Sequence, residues 1–224
     1  MKRIALVPTL IVTIFLAAPV SAPAGFSNVA VTTPVLDLID VIVHRREVIA
    51  VDPSAAGGTR RAPLMVGEKV LWSGARGKVA LVVTDRRLLG ITTAHGGWRA
   101  LRFKVHESEP KAILLGDRVA LVLTGMRAIG LSSAGKGFAE SLIGTTESPY
   151  DVVVGDNVAA FITDRRVVAL SGFFPHFAEQ QIGVHEDVEF TSTLPNFVSV
   201  GTRERMLVFR GTTGAWQAER VSLH

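Results

Sequence analysis

The chain contains no cysteine among its 224 residues. Disulfide bonds, thiol nucleophiles, cysteine zinc ligands and a lipid-modified cysteine are therefore all excluded. Aromatic residues make up only 7% of the chain. Neither sign of charge is in large excess. The formal net charge is +4, and Lys2 and Arg3 supply two of these positive charges. A balance so close to neutrality argues against a nucleic-acid partner.

The sequence also lacks any apolar pattern of helical period that lasts three turns. Short apolar runs are interrupted by Gly, Asp, Asn and Pro at intervals of about ten residues. Dense short strands with frequent turn signals are typical of an all-β protein.

Residues 1–24 form a separate segment with the three-part layout of a secretory signal. A basic Met-Lys-Arg start precedes an uncharged apolar run at 4–20, and small residues allow cleavage after Ala22 or Ala24. This segment predicts a bacterial periplasmic or secreted protein, with residues 25–224 as its single domain. The alternative is a retained membrane anchor, which would be the chain's contact with a membrane.

A repeat of about 40 residues organises the rest of the chain. The run VALVVTDRRLLGI at 79–91 returns at 119–131, 158–170 and 198–210, with a degenerate first copy at 41–51. The residues that end the first apolar run of each copy are spaced by 40, 40, 39 and 39: His44, Thr84, Thr124, Thr163 and Thr202. Fourteen residues after each threonine stands an aromatic: Trp98, Phe138, Phe177 and Trp216. A fixed period of this length indicates stacked supersecondary units, and we expect the aromatics to pack between them.

Each unit divides into four short strands. In the copy at 151–183, a Gly-Asp-Asn turn joins the first two strands, Asp164-Arg165 turns the second into the third, and Phe177 begins the fourth. Four antiparallel strands in about 40 residues is the size of a propeller blade. Five copies over 25–224 therefore predict an all-β, five-bladed β-propeller, with 26–33 as an extra strand near the ring closure.

This pattern of turns resembles the quinoprotein-like (PQQ-type) propeller repeat. The clearest match is Gly211-Thr212-Thr213-Gly214-Ala215-Trp216, which is similar to that repeat's Thr-Gly turn before a tryptophan. The resemblance implies blade architecture only, because the family has seven or eight blades and this chain has room for five. Neither the quinone cofactor nor dehydrogenase activity is carried over, and no cofactor is expected.

A second resemblance covers one copy. Gly67-Glu68-Lys69-Val70-Leu71-Trp72, followed by 79–89, looks like the start of a bacterial pleckstrin-homology-like domain. It does not account for the later copies or for the phased aromatics, so the propeller interpretation is preferred.

A repeated arginine is the main candidate for a binding site. It stands three residues after each threonine: Arg87, Arg127, Arg166 and Arg205. Hairpins between second and third strands share one face of a propeller, so these arginines are expected to form a broken ring there. One interpretation is a site for an anionic ligand or acidic partner. The other is ion pairing within or between blades, with Asp85, Asp164 or Glu204.

No convincing catalytic or metal set accompanies the repeat. The six histidines show no paired metal spacing, so no metal site is predicted. Asp37, Asp151 and Glu189 enter first strands, which line the channel of a propeller, and are the acids worth testing for chemistry there.

The sequence thus favours an exported propeller that binds a protein, peptide or glycan partner on one rim, without catalysis. The alternative is a glycan-active or other hydrolase with its site in the central channel, and lectin-like pockets between blades are a third possibility. An enzyme would show unrepeated polar residues at the channel mouth and an acid of raised pKa. A binding module would show a rim rich in apolar, aromatic and arginine groups.

Overall fold

A computed structural model describes residues 39–53, 58–107, 109–183 and 186–220, which all belong to one compact unit. The proposed signal segment and Asp37 lie outside these residues. The described part of the chain contains no helix and consequently no helical segment able to cross a membrane. It forms strands throughout, which confirms the all-β prediction.

The strands assemble into five antiparallel sheets in chain order, which we call blades 1 to 5. Blade 1 has three described strands, β1 (Asp40–His44), β2 (Glu47–Val51) and β3 (Thr59–Pro63). Blade 2 has β4 (Val70–Arg76), β5 (Val79–Thr84), β6 (Arg87–Thr92) and β7 (Arg99–Arg102). Blade 3 has β8 (Ala112–Leu115), β9 (Val119–Leu123), β10 (Arg127–Ser132) and β11 (Phe138–Leu142). Blade 4 has β12 (Pro149–Val154), β13 (Val158–Thr163), β14 (Arg166–Ser171) and β15 (Phe177–Gln181). Blade 5 has β16 (Val188–Leu194), β17 (Phe197–Thr202), β18 (Arg205–Arg210) and β19 (Ala215–Arg220).

The order of strands within each sheet follows the chain, so every connection inside a blade is a hairpin. In blade 4, for example, Phe161 lies opposite Val168 and Ala159 opposite Leu170. This architecture confirms the five-bladed propeller and the blade division implied by the PQQ-type resemblance.

Antiparallel hairpins place two kinds of loop on each face of the molecule. Turns between first and second strands share a face with the loops between third and fourth strands, and we call this the upper face. Hairpins between second and third strands share the opposite face, the lower face, with the loops that lead from one blade to the next.

The core lies between the blades rather than within any one of them. All residues of β5, β9 and β13 are buried, on both sides of their sheets. One cluster joins blades 2 and 3, another joins blades 3 and 4, and a third joins blades 4 and 5. Both faces of a central blade are covered by its neighbours, which explains the loss of polar alternation in the sequence.

The phased aromatics occupy equivalent positions in this core. Phe138 packs over Gly90 of the preceding blade, and Phe177 packs over Gly130 in the same way. The two tryptophans also donate an indole N–H to the preceding blade, from Trp98 to the carbonyl of Arg60 at 2.9 Å and from Trp216 to that of Ala178 at 3.0 Å. The predicted role of the aromatics in interblade packing is confirmed.

The terminal blades bury one face only. In blade 5, exposed or half-buried residues alternate with buried ones at the start of β17. The outer face of this blade carries three side chains that are each more than a third exposed: Phe190, Leu194 and Phe197. Ile42 is exposed on the outer face of blade 1. The position of a residue in the repeat therefore does not by itself determine how buried its side chain is. A side chain is covered only where a neighbouring blade packs against that face.

Candidate binding face on the lower side of the propeller

Four interblade loops on the lower face share one turn, which a glutamate closes. In the loop before blade 2, the Met65 N–H donates to Glu68 Oε2 at 2.6 Å, while the Glu68 N–H donates to the Met65 carbonyl at 3.0 Å. The same reciprocal pair links Gly144 with Glu147 before blade 4. It recurs before blade 3, where Glu107 and Lys104 exchange these two hydrogen bonds, and before blade 5, where Glu186 and Gly183 do so.

The repeated threonine fixes the neighbouring hairpin. Thr124 Oγ1 accepts the backbone N–H groups of Met126 and Arg127, at 3.2 and 3.1 Å, and it also lies 3.0 Å from the Arg127 carbonyl. Its hydroxyl further lies 2.9 Å from Glu107 Oε1. A buried threonine thereby sets both the hairpin and the position of the glutamate. Threonine bonds locally to turn backbone, so it suits this position at the end of the second strand in blades 2, 4 and 5 and directly after it in blade 3.

The repeated arginine binds this glutamate. Arg87 donates from Nε to Glu68 Oε1 at 2.8 Å and from Nη2 to Oε2 at 2.9 Å. Nη2 also donates to the carbonyl of Pro63 at 2.8 Å, the last residue of the preceding blade. The arginine thus joins its own hairpin, the loop before it and the previous blade. We call this set of Arg, Glu and Thr the interblade ion-pair cluster.

The cluster is built four times with the same atoms. Arg127 pairs with Glu107 and reaches the Arg102 carbonyl, Arg166 pairs with Glu147 and reaches that of Leu142, and Arg205 pairs with Glu186 and reaches that of Gln181. In blades 3 and 4 the guanidinium also binds a carboxylate of its own fourth strand, Glu140 or Glu179. In blade 1 the equivalent residue is Glu47, which pairs with Arg61 instead.

All four carboxylates are buried and ionised. Burial alone raises the pKa of Glu68, but hydrogen bonds from Arg87, from the Met65 N–H and from Thr84 outweigh it and lower the pKa. The same balance lowers the pKa values of Glu107 and Glu147. For Glu186 the hydrogen bond from Arg205 is the largest effect, and the pKa falls to about 2. A buried charge of this kind requires its partner, since an unpaired carboxylate in the interior is very costly.

The four sequence-predicted arginines therefore lie at equivalent positions on one face, as the repeat indicated. Each arginine forms its ion pairs within its own repeat and reaches the preceding blade through a carbonyl, and the shared partners are Glu68, Glu107, Glu147 and Glu186 rather than the hairpin acids. Asp85 and Asp164 instead accept backbone N–H groups, from Lys69 and Ser148. Whether the arginines also bind a ligand stays a prediction.

The glutamates are the functional residues that sequence reasoning missed. They recur at spacings of 39, 40 and 39 residues and stand sixteen or seventeen residues before each repeated threonine. That phase is as regular as the arginine phase, and it was a usable signal. Glu107 and Glu186 each follow a Val-His pair, whereas Glu68 and Glu147 stand in other contexts, so the residues around the glutamate do not repeat in every copy.

Above these clusters the lower face exposes a set of apolar side chains. Val66 is 84% exposed and Val105 is 81% exposed, each at the tip of a loop that a buried glutamate closes. Leu142, Tyr150 and Met126 are also exposed on this face. A register shift at the start of β12 turns Tyr150 outward.

The two described acids that enter first strands have separate partners. Asp151 accepts the neighbouring Val152 N–H, and Glu189 lies 3.6 Å from Arg203 in an exposed pair. Within the described ranges, no three His, Asp or Glu side chains are grouped so that they could hold a metal ion. His185 and His224 lie outside these ranges.

No protein-family model matches the chain, and no curated protein matches it. Solved structures similar to it include AztD from Citrobacter koseri (14% identity, TM-score 0.36) and BamB from Moraxella catarrhalis (14%, TM-score 0.35). The N-terminal domain of Nup159 is another, with 9% identity and a TM-score of 0.35. The alignments cover 82% of this chain in all three cases, and 60%, 61% and 58% of the respective structures. The chain thus spans about three fifths of the length of these proteins.

Proposed function

We propose that the protein is an exported, non-catalytic binding or scaffold module, whose lower face binds a protein or peptide partner. Export is inferred from the layout of residues 1–24. The observation that carries the binding proposal is the pair of loop tips, Val66 and Val105, whose apolar side chains are almost fully exposed. Exposed apolar groups that cluster on one face of a protein are characteristic of interaction surfaces.

The ion-pair clusters support this interpretation because they hold the loops in place. Each loop is closed by a buried glutamate, and the glutamate is fixed by an arginine and a threonine. Loops fixed before binding lose little conformational entropy when a partner docks.

The charge around the apolar tips favours a partner with acidic groups. Arg86 and Arg165 are exposed at the tips of the hairpins of blades 2 and 4, next to Asp85 and Asp164, whose carboxylates accept backbone N–H groups. A segment with apolar side chains flanked by carboxylates would match this surface. The repeated arginines would then support this surface from beneath, since each is neutralised by a buried glutamate.

Site-specific photocrosslinking in the native compartment tests the proposal. A photoreactive amino acid at position 66 or 105 is expected to capture a defined partner in discrete bands. The same amino acid at Ala94 or Ala134, which are exposed on the upper face, serves as the matched control. The additional change Val66→Ser in a chain labelled at 105 should reduce the yield. Equal capture from both faces, or none from the lower face, would reject the lower face as the binding surface.

A further inference from the structure

A cleft on the upper face lies where three blades meet. It has a volume of about 390 Å³, within the size range of small-molecule sites. Its lining residues come from blades 2, 3 and 4: Lys78, Thr93, Ala94, Arg118, Ser133, Ala134, Gly172 and Phe173. The cleft and the lower-face clusters lie at opposite ends of the same strands.

Lys78 and Arg118 stand at the same position of the repeat, and their backbone is rigid. The Lys78 N–H donates to the Asp117 carbonyl at 2.6 Å, and the Arg118 N–H donates to that of Asp156 at 2.9 Å. Their own carbonyls accept N–H groups from Thr93 and Ser133. The backbone of both cations is therefore held beside the cleft by hydrogen bonds within and between blades.

Blades 4 and 5 have asparagine at this position. Asn157 Nδ2 donates to Asn196 Oδ1 at 2.7 Å, so these two side chains satisfy each other between blades. The packing of blades does not require a positive charge at this position. The lysine and arginine of blades 2 and 3 are thus a departure from the repeat, located at the cleft.

The neighbouring carboxylates do not neutralise these cations. Arg76 takes both, with Nε at 2.9 Å from Asp117 Oδ1 and Nη2 at 3.0 Å from Asp156 Oδ1. These two ion pairs do not involve Lys78 or Arg118. Three cations against two carboxylates leave this part of the upper face positive.

Phe173 forms the wall of the cleft on the side of blade 4. The Arg118 guanidinium carbon lies 5.0 Å from the centre of its ring, close enough for a cation–π interaction. Gly172 allows this approach, because a Cβ there would lie 2.3 Å from Arg118 Cβ. The guanidinium is oriented by an aromatic face that leaves its N–H donors available at the cleft.

We infer that this cleft binds a small phosphate monoester. A planar guanidinium recognises phosphate oxygens through paired N–H donors, and a lysine ammonium adds a second charge. Two cations at one cleft suit a dianion better than a singly charged carboxylate. The Phe173 ring offers an apolar contact for the rest of the molecule. This inference is independent of the partner proposed for the lower face.

Isothermal titration calorimetry of the full chain with phenyl phosphate, in phosphate-free buffer, tests the inference. Saturable binding to one site is expected, weakened by added salt because the attraction is electrostatic. Lys78→Gln and Arg118→Gln should each weaken binding about tenfold or more, which corresponds to about 1.4 kcal/mol. Lys136→Gln, an exposed lysine of the same face that does not line the cleft, should leave binding unchanged.

Two further titrations test whether the site is specific for phosphate. Benzoate carries the same ring with a single charge, and binding as strong as that of phenyl phosphate would overturn the phosphate assignment. Arg118→Lys retains the charge and should lose less affinity than Arg118→Gln. Thermal unfolding of each variant establishes that it is folded. If Arg118→Gln does not fold, the binding result for Lys78→Gln decides the test. No saturable binding by the wild type, or unchanged binding by Lys78→Gln, would reject the site.

Discussion

Arg127 holds Glu107 through two parallel hydrogen bonds, from Nε at 2.8 Å and from Nη2 at 2.7 Å, with both side chains almost completely buried. The same guanidinium bonds to Glu140 and to the Arg102 carbonyl. One side chain therefore joins the last strand of blade 2, the loop after it and two strands of blade 3. Stability of the repeat array and the shape of its lower face consequently depend on the same group.

Arg127→Ala is expected to destabilise the protein by about 3–5 kcal/mol, because it leaves Glu107 as a buried, uncompensated charge. The double variant Arg127→Met with Glu107→Gln should recover much of this loss, since the charge is then removed with its partner. Urea unfolding measures both. Arg165→Ala, at an exposed position of the lower face, is the control and should change stability by no more than about 0.5 kcal/mol. A double variant no more stable than Arg127→Ala would contradict the account.

Stability should depend on pH through the buried glutamates. The pKa of Glu186 is lowered from 4.5 to about 2, so its ion pair stabilises the folded state fully above pH 4.5. That contribution is lost as the pH falls from 4.5 towards 2, where the folded state also takes up a proton. Urea unfolding of wild type and Glu186→Gln across this range should show the difference between them shrinking as the pH falls. A constant difference would show that folding does not lower the pKa of Glu186.

Gly130→Val should destabilise the packing between blades 3 and 4 by about 1–3 kcal/mol, because the interior there is overfilled. A Cβ at Gly130 would lie 2.3 Å from Leu170 Cδ2 and 2.9 Å from Phe177 Cζ. Adding Phe177→Leu should restore part of the loss by making room. Gly137→Ala, where no atom lies within 4 Å of the added Cβ, is the matched control. Equal effects at 130 and 137, measured by thermal unfolding, would argue against the packing of Phe177 on Gly130.

Trp216→Phe should cost about 1 kcal/mol in denaturant unfolding, because the Ala178 carbonyl loses the indole N–H. Phenylalanine is tolerated at the equivalent position of blades 3 and 4, so the fold itself should persist. A Trp216→Phe variant as stable as wild type would show that the hydrogen bond contributes nothing.

The fold could be predicted well from the sequence because it is repeated. Five copies in phase, the Gly-Asp and Asp-Arg turns, and the aromatics fourteen residues after each threonine together specify the blades, and the structure confirms them. A local pattern that recurs at a constant interval needs no knowledge of distant contacts. The structure adds that blade 1 has three described strands and that terminal blades leave one face exposed.

The candidate sites were only partly predictable. Arg87 and its three equivalents form a visible series in the sequence, but the ion-pair partners that the sequence suggests are the hairpin acids Asp85, Asp164 and Glu204. Glu68 lies nineteen residues from Arg87 in the chain and in a different loop, and its sequence context differs from those of the other three glutamates. Proximity in sequence favoured Asp85, but the hairpin turns that carboxylate towards the backbone N–H of Lys69.

The sequence by itself determined the repeat, its strands and the face on which the arginines lie, because period and turn chemistry are local properties of the chain. Only the tertiary structure decided what those arginines bind, and only it brought Lys78, Arg118 and Phe173 to one cleft. These residues belong to three different blades, and the interblade hydrogen bonds that align them exist only once the sheets have stacked.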